Sequence, residues 1–96
     1  MSDDFFAPPP FNADNALQQL KRTLRDLRQL AERGDAFELR GQPVVRLVVD
    51  GGVLKAEIAK RPARTPEWET RLLKNSAEVR QFGEEVKRRL DKWSDE

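Results

Sequence analysis

The stretch AFELRGQPVVRLVVDGGVLKAEIAK, residues 36–60, decides the fold of this chain. Apolar and polar residues alternate along it in three runs that are rich in β-branched side chains. Gly-Gln-Pro at 41–43 and Gly51-Gly52 separate these runs. Alternation with period two, bounded by turn residues, is typical of strands that bury one face. The stretch therefore predicts a three-stranded antiparallel meander with one apolar face.

The turn at Gly51-Gly52 predicts the register of the second and third strands. A two-residue turn needs positive φ, which glycine adopts at both positions. It pairs Arg46 with Glu57 and Val45 with Ile58. The strongly apolar residues of both strands then share one face, as a buried sheet face requires.

The loop at 41–43 predicts the register of the first strand. A three-residue loop pairs Phe37 with Leu47 and keeps both on the apolar face. It also aligns Glu38 beside Arg46 on the outer face. Together with the glutamate of the third strand this forms a row of alternating charges, which adds a fraction of a kcal/mol per pair.

Two longer segments are predicted to be helices. Residues 13–33 repeat leucine at three- and four-residue spacing and stop before Gly34, so they present one apolar stripe. Residues 77–93 carry a second stripe and follow Asn75-Ser76, which suits a helix cap.

A short helix is predicted between the sheet and the last helix, at residues 66–74. Thr65-Pro66-Glu67 has the residue types of a helix start: a cap, a proline at the first position and an acid in the first turn. The complete order is α-β-β-β-α-α. It defines an α+β fold, a three-stranded antiparallel meander with the helices packed on one face.

The chain length and a proline run predict the domain organisation. The 96 residues fit one core, which we expect to lie within a single α+β domain at 13–96. Residues 1–12 contain Pro8, Pro9 and Pro10 and are expected to be a flexible Pro-rich N-terminal arm.

Composition argues against catalysis. The chain has no Cys and no His, which removes thiolate nucleophiles, the commonest general base and the commonest metal ligands. Its carboxylates are explained as solvated, ion-paired faces. We therefore expect no enzyme activity, no catalytic residues, no metal and no cofactor. The acidic, proline-broken N-terminus is not a signal peptide, and no apolar run is long enough to cross a membrane, so a cytoplasmic protein is expected.

Protein association is the function that the sequence favours. Phe5 and Phe6 of the arm are candidates for docking into a groove on this protein or a partner. Val44 and Val48 dilute the charge of the outer sheet face and are candidates for a partner surface. Both edge strands of the predicted sheet are open. We expect a small non-enzymatic binding module whose partner is another protein or a second copy.

Nucleic-acid binding is the alternative. Lys60, Arg61 and Arg64 form a basic loop, and Lys21 and Arg25 lie on one flank of the first helix. Such clusters suit weak contacts with a phosphate backbone. The net charge of +1 is lower than that of most dedicated nucleic-acid binders, so this alternative is not favoured.

The predicted α-β-β-β-α order is similar in topology to that of double-stranded-RNA-binding domains. The resemblance implies RNA-backbone contacts. The chain lacks that family's cluster of lysines at the start of the last helix. At the corresponding position it has Arg64-Thr65-Pro66-Glu67-Trp68.

Overall fold

The computed structural model describes residues 11–94, so most of the predicted arm, with Phe5 and Phe6, lies outside the described residues. The described part forms two helices and one five-stranded antiparallel sheet. The elements in chain order are α1 (Ala13–Arg25), β1 (Leu30–Arg33), β2 (Ala36–Leu39), β3 (Gln42–Asp50), β4 (Val53–Ala59), β5 (Trp68–Leu73) and α2 (Ser76–Ser94). The predicted α+β class is confirmed, with five strands instead of three.

The sheet has the order β1-β2-β3-β4-β5, so each strand pairs with its neighbours in the chain. Both helices pack on its apolar face. Leu24 of α1 and Val86 of α2 join Leu47 and Ile58 in one core in which all four side chains are fully buried. Neither helix within residues 11–94 is long and apolar enough to cross a membrane.

The central hairpin has the predicted register. Val45 pairs with Ile58 and Arg46 pairs with Glu57 across the Gly51-Gly52 turn. Gly51 has a φ of 64°, the left-handed conformation that glycine adopts without a steric cost.

The register between β2 and β3 differs from the prediction. Arg40 and Gly41 both have positive φ and form a two-residue turn, so Phe37 pairs with Val45 and not with Leu47. A β-bulge between the turn and this pair leaves Val44 without a cross-strand partner on β2. The bulge inserts one residue into β3 and so offsets the residue that is missing from the shorter turn. The alternation of faces is restored beyond the bulge, and Phe37 keeps its place in the core.

The predicted row of charges is therefore only half formed. The Arg46 guanidinium lies 2.9 Å from the Glu57 carboxylate, as expected. Glu38 lies opposite Pro43 and pairs with Arg33, at 3.5 Å, so its predicted place beside Arg46 is wrong.

The first helix is shorter than predicted, because it ends at Arg25. Leu30 and the residues after it form β1 and pair with β2 through a two-residue turn that begins with Gly34, whose φ is 60°. The leucine spacing up to Leu30 is locally compatible with a longer helix and with a helix followed by a strand. Strand pairing prevails because it buries Leu30 opposite Leu39 and covers the free edge of β2.

The predicted short helix at 66–74 is wrong as well, because Trp68–Leu73 is strand β5. Trp68 pairs with Ala59, and the backbone N–H of Lys60 donates to the Glu67 carbonyl at 2.9 Å, which starts the ladder. Pairing satisfies a second row of β4 backbone groups, a gain that outweighs the local helix-start signal. α2 agrees with the prediction at 77–93 to within one residue at each end.

Candidate functional site

The outer sheet face carries one of the two predicted valines. Val48 is 45% exposed, whereas Val44 is fully buried in the core, so its predicted place on an exposed partner surface is wrong. The bulge in β3 is the feature that breaks the alternation there. Leu72 of β5 is 50% exposed and was missed, because its segment was predicted to be helical. Lys55 lies between Val48 and Leu72 across the strands.

The predicted basic residues of α1 are neutralised. Arg25 donates to both carboxylate oxygens of Glu32, at 2.7 and 3.1 Å. Lys21 lies 3.8 Å from Glu32 and 3.8 Å from Asp35. The hydrogen bond from Arg25 is the main reason that the pKa of Glu32 lies below its ordinary value.

The predicted basic loop lies at the other side of the sheet, between β4 and β5. Lys60 lies 3.4 Å from Glu67. Arg61 and Arg64 are exposed, and neither has a carboxylate within 4.0 Å among residues 11–94. The five predicted basic residues are therefore split between two edges of the sheet, and three of them already have an acidic partner.

A groove between β5 and α2 is the surface that the sequence did not reveal. It has a volume of about 530 Å³. Leu72 and Leu73 line one side, and Phe82 lines the other. Among the strands of residues 11–94, β5 pairs with β4 alone, so backbone N–H and C=O groups of its outer edge have no strand partner there.

A cluster of charged side chains, here called the arginine clamp, holds α2 beside β5. Arg89 of α2 donates to Glu69 of β5, to Glu85 at 2.8 Å and to the carbonyl of Ala59 at 2.9 Å. Arg71 of β5 donates to Glu85 at 3.0 Å. Because these bonds fix the spacing of strand and helix, the groove is preformed.

The clamp also sets the charge state of its carboxylate on β5. The hydrogen bond from Arg89 holds the pKa of Glu69 below its ordinary value of 4.5, and the charges of Arg89, Arg71 and Lys60 act in the same direction. Glu69 is therefore an ionised structural partner at neutral pH.

Two cations on α2 face the groove without a partner. Arg80 and Arg88 line it, both are exposed, and neither has a carboxylate within 4.0 Å in the described part of the chain. Glu84 lies between them in sequence and pairs instead with Lys87, at 3.6 Å. Arg80 and Arg88 lie about 12 Å apart along the helix axis, because a helix rises 1.5 Å per residue. An extended chain with acidic and apolar side chains matches this arrangement.

Among residues 11–94, no group of three or more acidic, His or Cys side chains has a geometry suited to a metal ion. No family model matches the chain, and the searches of curated proteins and of solved structures also gave no match.

Proposed function

We propose that this protein is a small non-enzymatic binding module that captures an extended segment of a protein partner along β5. The observation that carries the proposal is the preformed groove beside an open edge strand. A segment added to a sheet edge gains main-chain hydrogen bonds, and adjacent pockets select its side chains.

The composition of β5 supports strand addition. Edge strands are commonly guarded by charged side chains, by prolines or by short length. The residues of β5 that point to the outer face are Trp68, Thr70 and Leu72, and none is charged, while the two charged residues of the strand, Glu69 and Arg71, are held in the arginine clamp on the helix side. Its six residues also exceed the four of β1 at the opposite edge.

Peptide selection tests this proposal. Random peptides displayed on phage are selected against the full chain, and the amide shifts of the protein are followed by NMR on adding each selected peptide. We expect shifts in β5 and along the groove side of α2. Burial of a leucine side chain is worth about 1.5–3 kcal/mol. Replacing Leu72→Lys should therefore weaken binding by about tenfold or more.

Val48→Lys is the matched control, since Val48 is the other exposed large apolar residue among residues 11–94 but lies outside the groove. It should leave peptide affinity unchanged. The proposal is wrong if no peptide is selected, if shifts map to β1, or if both lysine variants bind equally well.

Self-association is the homotypic version of the same proposal. Two copies that pair through β5 would form a closed symmetric dimer, because each presents the same edge. Light scattering at high protein concentration tests this version, and a monomeric mass would remove it. We also propose a cytoplasmic location, since a chain without Cys needs no oxidising compartment for its fold.

The second proposal is weak backbone-directed binding of RNA or DNA through the exposed Arg61 and Arg64. Titration with duplex RNA and duplex DNA at two salt concentrations tests it. Phosphate binding must weaken as salt rises, because cations are released from the nucleic acid. Affinity that ignores salt, or that survives Arg61→Glu with Arg64→Glu, would exclude these residues.

A further inference from the structure

Helix α2 runs back along β5, and a contact near each end of the groove shows which residues of the two elements lie level with each other. At one end the backbone N–H of Lys74 donates to the Glu78 carboxylate at 2.7 Å. At the other end Arg89 donates to Glu69. From Glu69 to Lys74 an extended chain advances about 17 Å, and from Glu78 to Arg89 a helix advances about 16.5 Å. Positions on α2 can therefore be matched to positions on β5.

This matching places the two exposed arginines of the groove beside opposite ends of β5. Arg80 lies about 3 Å along the helix beyond the contact with Lys74, so it is level with Leu73. Arg88 lies about 1.5 Å before the contact with Glu69, so it is level with that residue. A strand added to the outer edge of β5 therefore passes one arginine near each end.

The spacing of the arginines sets the spacing of the acidic residues that can reach both. Arg80 and Arg88 lie about 12 Å apart along the helix axis. Side chains of an extended chain alternate between two faces, so those on the helix side are two, four or six positions apart, which is about 7, 13 or 20 Å. Four positions match the helix. The added strand therefore needs acidic residues at its first and fifth positions.

The central position on the helix side disfavours a third acidic residue. Halfway between the two arginines lies Glu84, whose side chain is 56% exposed and pairs with Lys87 at 3.6 Å. A carboxylate of the added strand at this level would face a like charge, which is unfavourable at an interface. The alternating charges along α2 therefore select spaced acidic residues over a segment that is acidic throughout.

The exposed leucine of β5 sets the position of an apolar residue. Leu72 is 50% exposed and points to the outer face, one residue before Leu73. Residues directly opposite each other on paired strands share a face, so the residue opposite Leu72 also points outward. An apolar side chain there buries Leu72. It stands next to the acidic residue at Arg80, so the motif is asymmetric and its order reports the direction of the added strand.

We infer that the segment bound by β5 has the pattern acidic–apolar–x–x–acidic and pairs antiparallel, with its first acidic residue on Arg80 and its last on Arg88. This inference rests on the proposed function of the groove and names the chemistry of its partner. An antiparallel segment begins at the Leu73 end, where β5 ends, and so meets Arg80 first. All strand pairs of the described sheet are antiparallel, which is the slightly more stable arrangement per residue. A parallel segment would need the reversed pattern, acidic–x–x–apolar–acidic.

Three peptides of one composition test the pattern with the full chain. Their cores are Asp-Leu-Thr-Thr-Asp, the reversed Asp-Thr-Thr-Leu-Asp, and Asp-Leu-Asp-Thr-Thr, in which the second acidic residue moves to the central position. NMR titration gives the affinity and shows which amides shift. We expect the first peptide to bind most tightly and to shift amides of β5. The third should bind about fivefold more weakly, because it loses one ion pair and faces Glu84.

Charge reversal assigns each acidic residue to its arginine. Arg88→Glu should weaken binding of the first peptide about fivefold, and a peptide with lysine in place of its last aspartate should recover the loss. Arg80→Glu should show the same exchange with the first aspartate. Both arginines are exposed, so the fold should tolerate either change. Arg61→Glu makes the same charge change outside the groove and should have no effect.

The outcomes separate this inference from the proposed function. Equal binding of the three peptides, or no recovery with the lysine peptides, would overturn the inferred pattern. If these peptides or others selected on phage still shift the amides of β5, the proposed function stands. Tighter binding of the reversed peptide would overturn the antiparallel direction. If no designed or selected peptide shifts the amides of β5, the proposed function and this inference fail together.

Discussion

The two edge strands, β1 and β5, are each tied to a helix by an arginine and a glutamate, yet the two edges differ in length and in what lies beside them. Arg25 of α1 binds Glu32 of β1, and Arg89 of α2 binds Glu69 of β5. β1 has four residues and ends in exposed charged side chains. β5 has six residues, exposes Leu72 and borders the groove. Similar ion pairs thus accompany a short edge with exposed charges on one side and a longer edge beside a groove on the other.

The largest effect is expected beneath β5. Leu73 is 4% exposed and packs in the core, so Leu73→Ala should lower the free energy of unfolding by about 2–5 kcal/mol. Urea unfolding measures this loss. Leu72→Ala, one residue earlier on the open face, should change stability by no more than about 0.5 kcal/mol. Equal losses would mean that the assigned faces of β5 are wrong.

The two arginine–glutamate ties should differ in strength. The Arg89 side chain is 22% exposed and donates to three acceptors, whereas Arg25 is 51% exposed. Hydrogen bonds to charged groups contribute about 1.5–3 kcal/mol, so Arg89→Met should lose about 1.5 kcal/mol or more. Arg25→Met should lose less, since water screens the exposed pair. Thermal unfolding of both variants shows which one loses more stability. A larger loss in Arg25→Met than in Arg89→Met would contradict the prediction.

A smaller effect is expected on the outer face near β5. The Arg46 guanidinium lies 4.3 Å from the centre of the Trp68 ring and also pairs with Glu57. At an exposed site each such contact is worth about 0.5–1 kcal/mol, so Arg46→Ala should cost about 1 kcal/mol. Arg33→Ala near β1 removes a longer pair from a side chain that is 74% exposed, and it should be close to neutral. Denaturation midpoints compare the two, and a cost at Arg33 that equals the cost at Arg46 would contradict the prediction.

The smallest expected effect is the loss of unfolding free energy at acidic pH. The pKa values of Glu69 and Glu32 lie below the ordinary value of 4.5 because arginines hydrogen-bond to both. A carboxylate with a lowered folded-state pKa stabilises the fold fully above the unfolded value, and the contribution is lost as pH falls through the folded value. Unfolding free energy should therefore be flat near pH 7 and fall below about pH 4.5.

Glu69→Gln and Glu32→Gln should each make this fall less steep. Urea titrations at a series of pH values measure the slope for each edge. A steeper fall in either variant would show that the pKa shift has the opposite sign.

The central hairpin could be predicted because one turn sets its register. Gly51-Gly52 allows few turn geometries, and the buried face then admits one pairing. The two edges could not be predicted in this way. Leucines up to Leu30 fit a helix stripe, and Thr65-Pro66-Glu67 fits a helix start. These local signals lose to backbone pairing with the neighbouring strand of the sheet, β2 for Leu30–Arg33 and β4 for Trp68–Leu73.

The candidate site was predicted only in part for the same reason. Val48 followed from strand alternation, whereas Val44 was misplaced because a bulge leaves no reliable mark in a single sequence. Leu72 and Arg88 come together only when β5 is a strand and α2 lies beside it. The groove therefore depends on tertiary structure that neither segment specifies alone.

The order of strands in the sheet has a consequence for folding kinetics. Because the strand order β1-β2-β3-β4-β5 is the order in the chain, each pairing closes only a short loop. Every strand of the described sheet pairs with a strand that is next to it in the sequence. Proteins dominated by such local contacts fold faster than proteins whose contacts join residues far apart in the sequence. The sheet can therefore grow outward from the hairpin at Gly51-Gly52 by adding one neighbouring strand at a time.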